Sequence, residues 1–88
     1  MKHRYLEITF RKGKALAAYL YLPRPPGIRA VRTLDAGHGI HVDVDEHDAP
    51  IGLEITAPGA VTFAQINAVL AKHGIPELAA DELAPLAA

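Results

Sequence analysis

Eight side chains able to bind a metal or carry a proton fall between residues 38 and 54: His38, His41, Asp43, Asp45, Glu46, His47, Asp48 and Glu54. Imidazoles mixed with carboxylates suit zinc or a harder divalent ion. Paired carboxylates such as Asp43 and Asp45 suit acid–base work. On a strand, residues 41, 43 and 45 project from one face about 6.6–7 Å apart. That is wider than neighbouring ligands of a single ion, so the side chains would have to converge. Glu54, on a following strand, would add a fourth group. The metal candidates are therefore His41, Asp43, Asp45 and Glu54.

Other signals of chemistry are missing from the sequence. It has no His-x-x-x-His pair, and Asp43-x-Asp45 lacks the glycine and terminal glutamate that a calcium loop needs. It contains neither serine nor cysteine, which leaves Thr33, Thr56 and Thr62 to be weighed as nucleophiles. Thr33 and Thr56 read as strand residues and Thr62 as a helix cap. Gly37-His38-Gly39 has no helix after it to form a phosphate loop. The acidic set is accordingly read as a solvated sheet face with salt bridges. No catalytic residue and no cofactor are assigned, and a metal-dependent or acid–base enzyme stays as the alternative.

The elements that would position these residues are marked by alternation. Residues 40–45 (Ile-His-Val-Asp-Val-Asp) and 51–56 (Ile-Gly-Leu-Glu-Ile-Thr) alternate apolar and polar side chains, the pattern of strands with one wet and one buried face. Further strands are predicted over 3–10, 15–22 and 28–35. Arg11-Lys12-Gly13-Lys14 and Ala36-Gly37-His38-Gly39 serve as turns, and the proline loop 23–27 ends the second strand. A hairpin symmetric about residues 36–39 would place Arg32 opposite Asp43, Val31 opposite Val44 and Thr33 opposite Val42. The next hairpin would place His41 opposite Glu54, Val42 opposite Leu53 and Val44 opposite Ile51.

A helix is predicted over 62–73. Thr62 and Gln65 form a capping box, Val61 and Ile66 a hydrophobic staple. Gly74 supplies the left-handed stop, Ile75 can reach back to Leu70, and Pro76 forbids continuation. Phe63, Ile66 and Leu70, flanked by Val69 and His73, form its apolar stripe. Residues 77–88 can form a short helix through Leu78 and Leu83 or fray.

The 88 residues make one domain. Residues 1–34 hold eight of the nine Lys and Arg, whereas residues 35–88 hold nine of the ten acids. A basic surface of Arg4, Arg11, Lys12, Lys14, Arg24 and Arg29, with Tyr5, Tyr19 and Tyr21 as stacking platforms, would describe a nucleic-acid binder. The net charge of −1 disfavours that reading. The two halves are instead expected to neutralise each other, with Tyr19 and Tyr21 under the helix or in a dimer interface. The polar first residues do not suit a signal peptide, and no apolar run approaches the roughly 20 residues of a membrane span. A cytoplasmic protein with no membrane partner is expected.

The order Ala18-Tyr19-Leu20-Tyr21-Leu22, Arg32-Thr33-x-Asp35, Val42-Asp43-Val44-Asp45 and Ile51-Gly52-Leu53-Glu54-Ile55 resembles the small prokaryotic domain-of-unknown-function family 2283 over residues 10–56. The resemblance implies a compact β-meander without established activity. Some members are encoded beside small toxin-like proteins, which implies an antitoxin-like binding role. The chain departs from the family at Arg11-Lys12-Gly13, where members tend to carry an Asp-Pro turn, and in its proline loop. The expected fold is α+β: an antiparallel β-meander of about five strands with the 62–73 helix on one face. The expected function is a non-catalytic protein-interaction module that forms a homo-oligomer, most simply a two-fold dimer.

Overall fold

The computed structural model describes residues 3–87; Met1 and Lys2 of the N-terminal stretch and Ala88 of the tail lie outside the described residues. Five antiparallel strands form one sheet: β1 (Tyr5–Arg11), β2 (Lys14–Tyr21), β3 (Arg32–Asp35), β4 (Ile40–Val44) and β5 (Pro50–Ile55). A 3-10 turn (Pro58–Ala60), helix α1 (Phe63–Lys72), short helix α2 (Ala80–Leu83) and a final 3-10 turn (Ala84–Ala87) follow. The strands lie in the order β1-β2-β5-β4-β3. Only β3, β4 and β5 run as a consecutive meander. The segment 22–31 carries the chain from β2 to the far edge, and β5 fills the gap beside β2. Its ends are tied down: Leu22 N donates to Ile51 O at 3.2 Å and Val31 N to Val44 O at 2.9 Å.

One face of the sheet is closed. Leu20, Ile40, Val42, Leu53, Ile55, Ile66, Leu70 and Leu83 are all essentially inaccessible to solvent and belong to one apolar cluster. Helix α1 supplies the cover from its stripe of Ile66, Val69 and Leu70. Its ends are those predicted. Gln65 N donates to Thr62 Oγ1 at 3.1 Å, and Thr62 N donates to Gln65 Oε1 at 2.9 Å. At the other end Gly74 adopts φ 72°, Ile75 N donates to Leu70 O at 2.9 Å and Gly74 N to Ala71 O at 3.1 Å. The tail closes the remaining gap with Leu78, Leu83 and Leu86 buried. Asn67 holds it through Leu78, accepting from its N–H at 2.8 Å and donating to its carbonyl at 3.2 Å.

Four expectations are corrected. Strand β3 begins at Arg32 rather than at residue 28. Its register against β4 is shifted by one: Arg32 faces Val44, Thr33 faces Asp43 and Asp35 faces His41. The cause is the turn. Gly37, His38 and Gly39 all take positive φ and make a three-residue loop, closed by Ala36 N donating to Ile40 O at 2.9 Å. The hairpin is therefore symmetric about His38. A one-residue slip moves every side chain to the other face, so Arg32 leaves Asp43 and pairs with Asp48. Between β4 and β5 the predicted His41–Glu54 and Val42–Leu53 pairs are present, but an irregularity at Asp43/Val44 puts Val44 opposite Pro50 instead of Ile51. Phe63, expected in the core, is 37% exposed at the rim.

Candidate functional site

The uncovered face of the sheet carries two rows of side chains that run in register across all five strands. The first row is Tyr5, Tyr21, Gly52, Asp43 and Thr33; the second is Glu7, Tyr19, Glu54, His41 and Asp35. The rows contain four carboxylates and three tyrosines, and neither contains a lysine or arginine.

Asp43 is the hub of the first row. Its carboxylate accepts from Tyr19 Oη and from Thr33 Oγ1, both at 2.6 Å. Tyr19 reaches it by lying diagonally over Gly52, where a Cβ would overlap the tyrosine ring and hydroxyl. The glycine inside an otherwise regular strand thus marks a close approach, here of an aromatic ring rather than a ligand. Burial, with the bond to Asp43 and its negative charge, holds the Tyr19 phenol well above its ordinary value. Tyr21 is tilted against Tyr19 at 4.7 Å between centroids and stacked on Tyr5 at 4.5 Å. Its hydroxyl donates to Glu7 Oε1 at 3.3 Å, and that carboxylate's charge is the main cause that raises the Tyr21 phenol. Tyr5, at the sheet edge, remains half exposed.

The second row borders a shallow hollow of about 180 Å³ lined by Glu7, Thr9, Ala17, Tyr19 and Glu54. The two glutamates stand on either side of Tyr19, two strands apart, hence about 9–10 Å between their backbones. The small Thr9 and Ala17 leave room between them. The result is a notch with a carboxylate on either side, beside an aromatic surface. A cleft of about 380 Å³ between β3 and α1, lined by Leu34, Asp35, His38, Gln65, Lys72 and His73 among others, mixes polar and apolar walls.

The residues predicted for metal or acid–base chemistry are divided by the fold. His41, Asp43 and Glu54 do share the open face. Asp45 lies past the end of β4 and is buried; its Oδ1 accepts from His47 N at 2.8 Å and Ala49 N at 3.0 Å. Those amides, Ala49 first, hold its carboxyl below the usual range. Asp45 is thus a turn-former with its acceptor already used. Asp43 is committed to Tyr19 and Thr33. Among the described residues no group of three or more His, Cys, Asp or Glu is arranged to hold a metal ion.

The basic candidates are divided too. Arg4 ties β1 to the tail: its guanidinium donates to Pro76 O at 2.5 Å, to Glu77 O at 3.0 Å and to both carboxylate oxygens of Glu82 at 3.3 Å. The Ala79 amide, and then Arg4, lower the Glu82 carboxyl. Arg11, Lys12 and Lys14 gather at the β1–β2 tip, where Lys12 and Gly13 form the loop with positive φ. Charges of the basic half therefore meet the acidic half through Arg4–Glu82 and Arg32–Asp48. The tyrosines are not under the helix, as one reading of the sequence had them; they are on the open face. Sequence reasoning missed the Tyr19–Asp43–Thr33 hub and the part played by Glu7. The one signal available was Gly52, an unexplained glycine between two core residues.

No helix among the described residues is long and apolar enough to cross a membrane. No family model, curated protein or solved structure matches the chain.

Proposed function

We propose that the protein is a non-catalytic interaction module of the cytoplasm whose open sheet face binds a partner protein through a basic segment. The observation that carries this reading is the pairing of the Tyr5–Tyr21 stack with the Glu7–Glu54 notch. Tyrosine and tryptophan dominate the energetically important parts of interfaces because they offer large, stiff contact area and a polar tip. A lysine or arginine entering the notch would meet carboxylates on both sides and a ring edge between them. The face is flat and wet, which suits a protein surface better than a small substrate that must be shielded from water. The resemblance to family 2283 is compatible with this reading and supplies its antitoxin-like form, in which the basic partner is a small toxin.

The test is a titration of isotopically labelled protein with a lysine- and arginine-rich peptide and with a glutamate-rich control, read by amide shifts. Changes confined to Glu7, Tyr19, Tyr21 and Glu54 with the basic peptide alone are expected, and they should vanish in Glu7→Gln/Glu54→Gln. Equal response to both peptides, or none, overturns the reading. Co-expression with small basic toxin-like proteins tests the narrower version: growth should be rescued from one of them, and rescue should be lost in Tyr5→Ala/Tyr21→Ala.

A further inference from the structure

The two edges of the sheet are unequal. Edge β3 has four residues, and Arg32 on it is engaged with Asp48. Edge β1 has seven residues without proline or glycine. The irregularity in the β1–β2 ladder lies on β2, since Thr9 faces Ala17 and Phe10 faces Ala15, which leaves Leu16 as the extra residue. The free edge therefore has no bulge and no proline of its own, and its charges are limited to Glu7 and Arg11. It also carries an apolar burden: Phe10 is 49% and Tyr5 51% exposed.

We infer that β1 pairs with β1 of a second copy of the chain, antiparallel about a two-fold axis at Ile8, to give a continuous ten-stranded sheet. Hydrogen-bond phase limits the choice of register. Arg11 and Lys14 close a two-residue loop and so exchange hydrogen bonds with each other. Alternation then turns the amides of Leu6, Ile8 and Phe10 toward the free edge. These residues must pair among themselves, which leaves axes at residues 7, 8 or 9. An axis at Glu7 sets two glutamates face to face, a destabilising pair. An axis at Thr9 forfeits the N-terminal end of the strand. The axis at Ile8 uses all seven residues and matches every pair by type: Leu6 with Phe10, Ile8 with itself, Glu7 with Thr9, Tyr5 with Arg11. The guanidinium of Arg11 then lies over an exposed tyrosine ring and diagonal to Glu7.

A cavity supports the same register. A hollow of about 250 Å³ opens beside Leu6, walled by Tyr5, Leu20, Leu78 and Pro85 and bordered by the paired Arg4 and Glu82. With the axis at Ile8, the second copy's exposed Phe10 stands directly opposite Leu6 and fills it, once in each direction. The occupant is thus set by the strand's own self-complementarity in shape and charge. The inference does not rest on the basic-partner reading, although Tyr5, Glu7 and Thr9 serve both; the mass of the chain in solution alone reports the dimer without any peptide.

Sedimentation or light scattering of the full chain across concentration should give twice the 9.4 kDa chain mass. Two substitutions at the exposed Thr9 then read the register, with circular dichroism confirming the fold. Thr9→Lys places a cation opposite Glu7 twice and should tighten the dimer; Thr9→Glu places two like pairs there and should weaken it, by about tenfold in Kd in each case. A chain that stays at monomer mass up to about 1 mM overturns the inference. So does a weakening by both substitutions, which an axis at Thr9 would give, or a dimer insensitive to both and abolished by Tyr21→Ala, which would place the contact on the open face.

Discussion

The two faces of the sheet are made by the same five strands and hold together by different means. The covered face is continuous apolar surface, closed by α1 and the tail, with Leu53, Val42 and Ile55 excluded from water. The open face is a network: an aspartate accepting two short hydrogen bonds, three tyrosines linked through Tyr21, and further carboxylates beside them. Burial is non-directional and summed over many contacts, whereas a network depends on particular partners. Damage should therefore spread on the first face and stay local on the second.

The largest test of that contrast is Leu53→Ala, which empties the centre of the covered face. It should cost about 2–5 kcal/mol in urea unfolding. Asp43→Ala strips the acceptor from Tyr19 and Thr33, and should cost about 1–3 kcal/mol. It should leave the α1 amides as protected from exchange as before; loss of helix protection would mean the faces are not separable. Gly52→Ala should cost about 1–2 kcal/mol, because the new methyl drives the Tyr19 ring off Asp43. Combined with Tyr19→Ala, most of that cost should disappear, and a fully additive pair would show that the tyrosine is not what fills the site.

Alkaline titration sharpens the comparison further. The Tyr19 phenol is raised in the folded protein, so its contribution is fully present below the unfolded value near 10 and is lost as pH rises through the higher folded value. Stability should fall above about pH 10, and Tyr19→Phe should flatten that fall. The smallest expected effect is that of Glu54→Ala, an exposed residue of the central strand outside the hub: within about 0.5 kcal/mol. A larger loss would place Glu54 inside the network rather than at its border.

Much of the covered face was legible in the residues. Thr62 with Gln65, and Gly74 with Ile75 and Pro76, are local codes read by the backbone within one turn, and the structure obeys each of them. The alternation in 40–45 and 51–56 likewise named which side chains go inside, because a strand's period leaves only two choices. The Lys12-Gly13 turn and the His41–Glu54 pairing follow the same local logic. Phe63 did not, since helical spacing says which stripe is apolar but not where the sheet beneath it ends.

The open face was hardly legible. Its residue types were all visible, yet their grouping depends on β5 lying beside β2, a pairing across thirty or so residues that no local signal encodes. Asp43 looked like a partner for Arg32 until the three left-handed residues at 37–39 moved the register by one. Asp45 looked like a member of the acidic set until the chain turned after Val44 and used its carboxylate on two backbone amides.

The sequence by itself determined the elements, the apolar interior and the helix ends, because capping, alternation and turn conformation act over a few residues. The tertiary structure alone decided which polar groups meet. Strand order and register are settled by burial summed over the whole sheet, and a shift of one residue, free of any change in composition, exchanges one face for the other.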